Sequence, residues 1–144
     1  MSIRTKYETE LESVFNKLVK MCHDVELAIE KSVTALITRD DELARNVMRD
    51  DKNVDASERE IEQDCLKILL MEHPVATDFR EVSAALKMIT DLERIGDQAA
   101  DISEISLQFG KQKFIKKPEH IEMMAKIVIG MVKDGVHSFI NRDK

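Results

Sequence analysis

The chain has 144 residues, 43% hydrophobic and 35% charged, with four glycines, two prolines and no tryptophan. That length carries one domain with a real core, and so few breakers argue for long helices over a turn-rich sheet protein. A formal net charge of -6 is unpromising for nucleic acid binding.

The two cysteines, Cys22 and Cys65, sit in apolar helical contexts without CxxC spacing. Buried, reduced thiols and a cytosolic compartment are expected. The N-terminal MSIRTKYETELE lacks the apolar core of a signal peptide, and no apolar run approaches the ~18 residues of a membrane span. Any membrane role is therefore expected to go through a partner. Charge is uneven: residues 40–64 hold ten acidic against four basic residues, and residues 110–144 hold eight basic against four acidic. Two solvated helix faces explain this, as do surfaces that meet within a dimer or meet a partner.

Residues 3–38 read as one helix. Leu11, Val14, Phe15, Leu18, Cys22, Val25, Ile29, Leu36 and Ile37 recur at three- and four-residue spacing on one stripe. TRDDE breaks the pattern, and Thr38 or Asp40 is placed to cap a second helix over about 41–72. The apolar positions there are Leu43, Val47, Val54, Ile61, Cys65, Ile68 and Leu69. Its middle, DDKNVDASEREIEQD, is weakly apolar, so packing on one narrow stripe is expected. Pro74 ends it, because the residue before a proline is pushed out of helical geometry.

A third helix is predicted over about 75–109, on Ala85, Met88, Leu92, Ile95, Ala99, Ile102 and Phe109, with Gly110 as its stop. The lysine-rich KQKFIKKP reads as a linker whose Pro118 suits the first turn of a fourth helix, over about 118–141. Eight methionines at helical spacing read as core rather than as a promiscuous surface. The fold class is all-α, a long antiparallel three-helix bundle plus a fourth helix.

The fourth helix repeats the first. Shifted by 103 residues, MCHDVELAIEKSVTALITRD lies on MAKIVIGMVKDGVHSFINRD, with six identities in twenty positions and a shared Arg-Asp ending. Met21 falls on Met124, Val25 on Val128, Val33 on Val136 and Ile37 on Ile140. Residues 1–112 then form a complete three-helix unit, and residues 113–144 form a linker and the first helix of a second. The chain stops where that second unit's connecting turn is expected. Without its own bundle, the apolar face of the fourth helix (Ile127, Met131, Val132, Phe139) is expected to seek a partner, so homo-oligomerisation follows, with domain swapping as one route.

The stretch TDLERIGDQAAD carries the densest chemistry. Glu93, Asp97 and Asp101 stack at i, i+4 and i+8 on one helix face. Leu92, Ile95, Ala99 and Ile102 average about half a turn away, so the acids lie off the core-packing stripe. Like charges so spaced repel by a few tenths of a kcal/mol per pair. A solvated face tolerates that; a multivalent cation removes it, and carboxylates are hard ligands suited to Mg, Ca, Mn or iron. Gly96 lies inside the ladder. A mid-helix glycine costs about 1 kcal/mol against alanine, so it usually marks close approach by another helix or a ligand.

Enzyme chemistry finds little support. The sequence has no nucleophile elbow, Walker loop or dinucleotide fingerprint. A di-iron carboxylate oxidase needs Glu-x-x-His, and Lys20, Leu70, Lys117 and Asp134 stand three before His23, His73, His120 and His137. These histidines read as surface or cap residues.

DLERIGDQAADI resembles the signature of the PhoU family, the phosphate-uptake regulators of bacteria and archaea. The family's acidic-x-x-x-Asp motif is Glu93-Arg94-Ile95-Gly96-Asp97 here, and HPVATDFREV, with Pro74, Asp78 and Arg80, resembles its turn and helix start. The resemblance covers residues 1–110 as one repeat and 118–143 as the next repeat's first helix. It implies a non-enzymatic, cytoplasmic regulator, often dimeric, built as tandem three-helix bundles. Such a protein couples a phosphate ABC transporter's ATPase to a sensor histidine kinase and represses the starvation response when phosphate is ample. It further implies multinuclear iron or zinc, or another divalent cation, on Glu93 and Asp97. Asp101 is added here because it stands one turn further along, and Asp91 is a weaker candidate. With one such motif per chain, a metal site is expected to be half-built or shared across a dimer. Two alternatives keep the bundle and lose the metal: a structural helical adaptor, and an accessory protein of a low-affinity phosphate transporter. The ERIGD core favours the regulator.

Overall fold

The computed structural model describes residues 3–70, 76–109 and 119–141. They form four helices: α1 (Ile3–Thr38), α2 (Asp41–Leu69), α3 (Ala76–Phe109) and α4 (Glu119–Ile140). The expected stops at Pro74 and Gly110 and the lysine-rich linker with Pro118 lie outside the described residues.

The α1–α2 connection is tight. Arg39 takes a left-handed conformation with φ 58°, a position that favours glycine. This lets the Asp40 amide donate back to the Ala35 carbonyl at 3.0 Å, closing the end of α1. The Asp40 side chain then accepts from the Leu43 amide at 3.0 Å, so Asp40 rather than Thr38 caps α2.

Side-chain contacts fix the topology. Near the start of α1, the Tyr7 hydroxyl donates to Glu81 Oε2 at 2.7 Å; near its end, Ser106 Oγ donates to the Ala35 carbonyl at 3.4 Å. So α3 runs parallel to α1. α2 follows α1 after a tight turn, and Lys17 in the first half of α1 pairs with Glu60 (3.0 Å) and Asp64 (2.5 Å) in the second half of α2, so α2 is antiparallel to both. Hydrogen bonds to both acids, Asp64 foremost, hold Lys17's pKa above its ordinary value. α4 packs on α1, also antiparallel, with Phe139 edge-on to Phe15 at 5.5 Å and Lys133 3.7 Å from Glu26.

The core shows why the helices take these places. In α2, Val47, Val54, Ile61 and Ile68 are buried at seven-residue intervals, joined by Ala44 and Cys65, which is the narrow stripe expected. α1 is covered on two sides. Leu18, Met21 and Val25 are fully buried in the bundle core, each contributing roughly 1.5–3 kcal/mol, while Phe15 and Cys22 meet α4. The α1 stripe is therefore broader than expected and includes Met21. α3 also differs: its buried positions are Val82, Ala85, Ile89, Leu92, Gly96, Ala99, Ser103 and Ser106, whereas Met88, Ile95 and Ile102 are only half-buried. Small residues hold much of that face, so a hydrophobic pattern under-reads it.

The methionines depart from expectation. Met21 is core and Met88 half-buried, but Met48, Met123, Met124 and Met131 are exposed. Ile127 (57% exposed) and Met131 (68%) on α4 are uncovered as expected, whereas Val132 and Phe139 are half-buried against the core. Both cysteines are buried and reduced; burial pushes Cys22 up to about 12 and Cys65 up to about 11, which makes them inert as nucleophiles. Two grooves flank the α1–α4 seam. One is lined on α1 by Val19, Cys22, His23 and Glu26; the other is lined on α4 by Glu122, Ala125, Lys126 and Ile129. The second set is the first shifted by 103 positions, so the repeat register relates the two grooves.

Candidate metal centre

Glu93 and Asp97, the first two acids of the α3 ladder, are half-buried on the side of α2, and Asp101 is exposed. α2 runs antiparallel and brings its own acids opposite. One carboxylate oxygen from each of Asp51, Asp55 and Asp97 lies within 4.8 Å of the other two, and all three residues are half-buried. Glu93 is half-buried one turn before Asp97, and Asp101 is exposed one turn after it. The structure thus brings Asp97 into a three-carboxylate group, keeps Glu93 beside it, and leaves Asp101 at the margin. Asp91 is exposed on another side of α3.

Gly96 stands where the two helices come close. It is buried, and a Cβ built on it would stand 3.3 Å from Val54 Cγ1 and 3.6 Å from Asp51 Oδ1. The expectation of a close helix approach at this glycine holds, with α2 as the neighbour. A larger residue there would meet the wall that carries Asp51 and Asp55.

The electrostatics are those of a crowded anionic seam. Burial, then a hydrogen bond to Asp97 that only the protonated form makes, then the charges of Asp55, Asp97 and Asp101, push Asp51 up to about 6. Glu93 is pushed up to about 7, first by a hydrogen bond to Asp97, then by burial and by the charges of Asp97, Glu58 and Asp55. Glu58 is raised as well, chiefly by burial, with Glu62, Asp55 and Asp97 adding and Arg59 opposing. Asp51 Oδ1 is buried without a hydrogen-bond partner. Carboxylates held together at a cost are how proteins store the charge that a cation neutralises.

The donor set fits a hard cation. All the candidate ligands are carboxylate oxygens, the preference of Mg, Ca, Mn and iron, and zinc also accepts them. An ion reaching ~2.0–2.6 Å to each oxygen can bridge a group of this span. The orphaned Asp51 oxygen and the space kept open at Gly96 point the same way. The three exposed histidines, His23, His120 and His137, lie on other helix segments, and His73 lies outside the described residues.

The sequence reading missed Asp51, Asp55 and Glu58. A signal for two of them existed: Asp51 and Asp55 repeat the acid-x-x-x-Asp spacing of Glu93 and Asp97. It lay inside a helix segment read only for its sparse apolar positions.

A family model described as the PhoU domain matches residues 18–106, which include both acidic pairs. The chain is 36% identical over 134 residues to the phosphate-specific transport system accessory protein PhoU homolog of Aquifex aeolicus, covering 93% of this chain and 61% of that one. It is 32% identical over 141 residues to the corresponding PhoU protein of Escherichia coli, covering 98% and 58%. The crystal structure of PhoU from Pseudomonas aeruginosa superposes with a TM-score of 0.89 at 30% identity, over 95% of this chain and 66% of that one. The phosphate transport system regulatory protein PhoU from Streptococcus pneumoniae gives 0.83 at 25% identity, over 92% and 62%. The chain spans about three fifths of the length of the curated relatives it matches.

Proposed function

Because this chain belongs to the PhoU family, we propose that it serves as an accessory protein of a phosphate transport system and a negative regulator of phosphate uptake and phosphate-starvation signalling. It acts in the cytoplasm as a non-enzymatic adaptor. One partner is the ATPase of a phosphate ABC transporter and another is a sensor histidine kinase. The phosphate transport system is in the names its relatives carry, and the two specific partners are what the family resemblance implies. No helix among the described residues is long and apolar enough to cross a membrane, which agrees with an adaptor that reaches the transporter by docking.

The observation that carries the reading is the pairing of Asp51 and Asp55 with Asp97 across the α2–α3 seam. These three hold a divalent cation such as iron or zinc, with Glu93, Asp101 and Glu58 along the same seam for further ions. Bound there, the cation neutralises the ladder and offers phosphate a positive site that bare carboxylates would repel. Asp51 and Asp55 supply carboxylates of the kind that a second motif would bring, so this reading draws its protein ligands from one three-helix unit. α4 opens a second unit whose outer face is covered in a homodimer or higher assembly.

The test compares the parent with Glu93→Gln combined with Asp97→Asn, each purified without a chelator. The parent is expected to carry metal and to co-purify with the transporter ATPase; the double variant is expected to lose the metal. Equal metal in both removes the site, and failure of the parent to bind the ATPase removes the adaptor.

A further inference from the structure

We infer that Gly96 is a positioning residue of this metal centre: its missing side chain sets the α2–α3 spacing that brings Asp51 and Asp55 within reach of Asp97. This rests on the metal-binding reading above and deepens it. Gly96 occupies a buried mid-helix position where alanine is the better helix former. A helix-propensity argument alone would therefore replace it. The space around it explains its presence. A methyl at position 96 would stand 3.3 Å from Val54 Cγ1, closer than side-chain carbons normally sit. Val54 is only 2% exposed and closely packed, so the few tenths of an ångström that this contact lacks are expected to be taken up by a shift of α2.

Val54 lies between the two ligands of its helix, three residues after Asp51 and one before Asp55. Moving it outward moves both away from Asp97. The three ligand oxygens lie within 4.8 Å of one another. An ion holds its oxygens at ~2.0–2.6 Å, so two ligands across it stand at most about 5 Å apart. Added spacing between α2 and α3 lengthens these distances and weakens the hold of the group on one ion. The contact with Asp51 Oδ1, at 3.6 Å, is ordinary, so the obstruction comes from Val54 rather than from the carboxylate.

The test uses the full chain, stripped of metal and titrated with Mn(II) by isothermal calorimetry, with helicity and metal-free melting recorded for each variant. Gly96→Ala is expected to weaken Mn(II) binding about 10- to 100-fold, as loss of a supporting residue typically does, while helicity stays unchanged and the metal-free melting temperature does not fall. Gly96→Ala combined with Val54→Ala removes the obstructing methyl and is expected to bind close to the parent. Gly96→Val, larger still, is expected to bind more weakly than Gly96→Ala. If the parent binds and Gly96→Ala binds equally well, the positioning role is overturned while the metal reading stands. If Gly96→Ala is weak and the double variant folds without recovering, the role of the Val54 contact is overturned. A parent that takes up no Mn(II) overturns the metal reading, and the role of Gly96 with it.

Discussion

Replacing Asp97 with Asn should stabilise the metal-free protein and abolish the metal uptake proposed above. Asp97 is a cause of the raised pKa at both Asp51 and Glu93, by hydrogen bonding and by charge. Both groups have folded values above their ordinary ones: about 6 against 3.8, and about 7 against 4.5. Their favourable contribution is thus complete below pH ~4 and is lost as pH rises through 6 to 7. Above pH 7 the seam holds its full negative charge and works against the fold. Raising Asp51 from 3.8 to about 6 corresponds to at most about 3 kcal/mol. Asp97 is one of several causes and water reaches the half-buried seam, so removing its charge recovers about 1 kcal/mol. In a chain of this length that is a rise of about 3 °C in melting temperature. The assay is thermal melting in excess chelator at pH 8 and pH 5. The gain is expected at pH 8 and should shrink at pH 5, where Asp51 and Glu93 are mostly protonated. No gain at pH 8, or an equal gain at both values, would refute the reasoning.

Two further outcomes follow from the packing. Ile61 is fully buried in the α2 stripe, so Ile61→Ala should cost about 2–5 kcal/mol in urea unfolding, and a loss below 1 kcal/mol would mean that the stripe is not core. The outer face of α4 presents Met124, Ile127, Val128 and Met131; under the 103-residue shift Met124 and Val128 correspond to the fully buried Met21 and Val25. That face should drive self-association, and Ile127→Lys with Met131→Glu should lower the mass measured by light scattering; an unchanged mass would place the contact elsewhere.

The helices were legible because each rule involved is local. Asp40 followed by an apolar-periodic run marks a start, and the observed ends lie within three residues of those expected. The α2 stripe was legible because Val47, Val54, Ile61 and Ile68 repeat at seven. Gly96 was legible as a point of close approach by another helix or a ligand, since a mid-helix glycine costs about 1 kcal/mol against alanine. The partner in that approach was not legible. That α2 lies opposite the ladder, antiparallel and in register at Asp51 and Asp55, is a tertiary fact which the spacing within α3 cannot encode. The core face of α3 was misjudged for a related reason. Gly96, Ser103 and Ser106 are buried by neighbouring helices, and small or polar residues leave no hydrophobic trace. The acids therefore seemed to point away from the bundle, whereas Glu93 and Asp97 line its α2–α3 seam.

The most direct test of the central claim is metal content and light-scattering mass measured on one chromatographic peak of the chain purified without chelator, beside Asp51→Asn combined with Asp97→Asn. The account predicts metal in proportion to chains in the parent, whatever its oligomeric state, and its loss in the variant at unchanged mass. A metal-free parent peak, or a variant that keeps its metal, would contradict it.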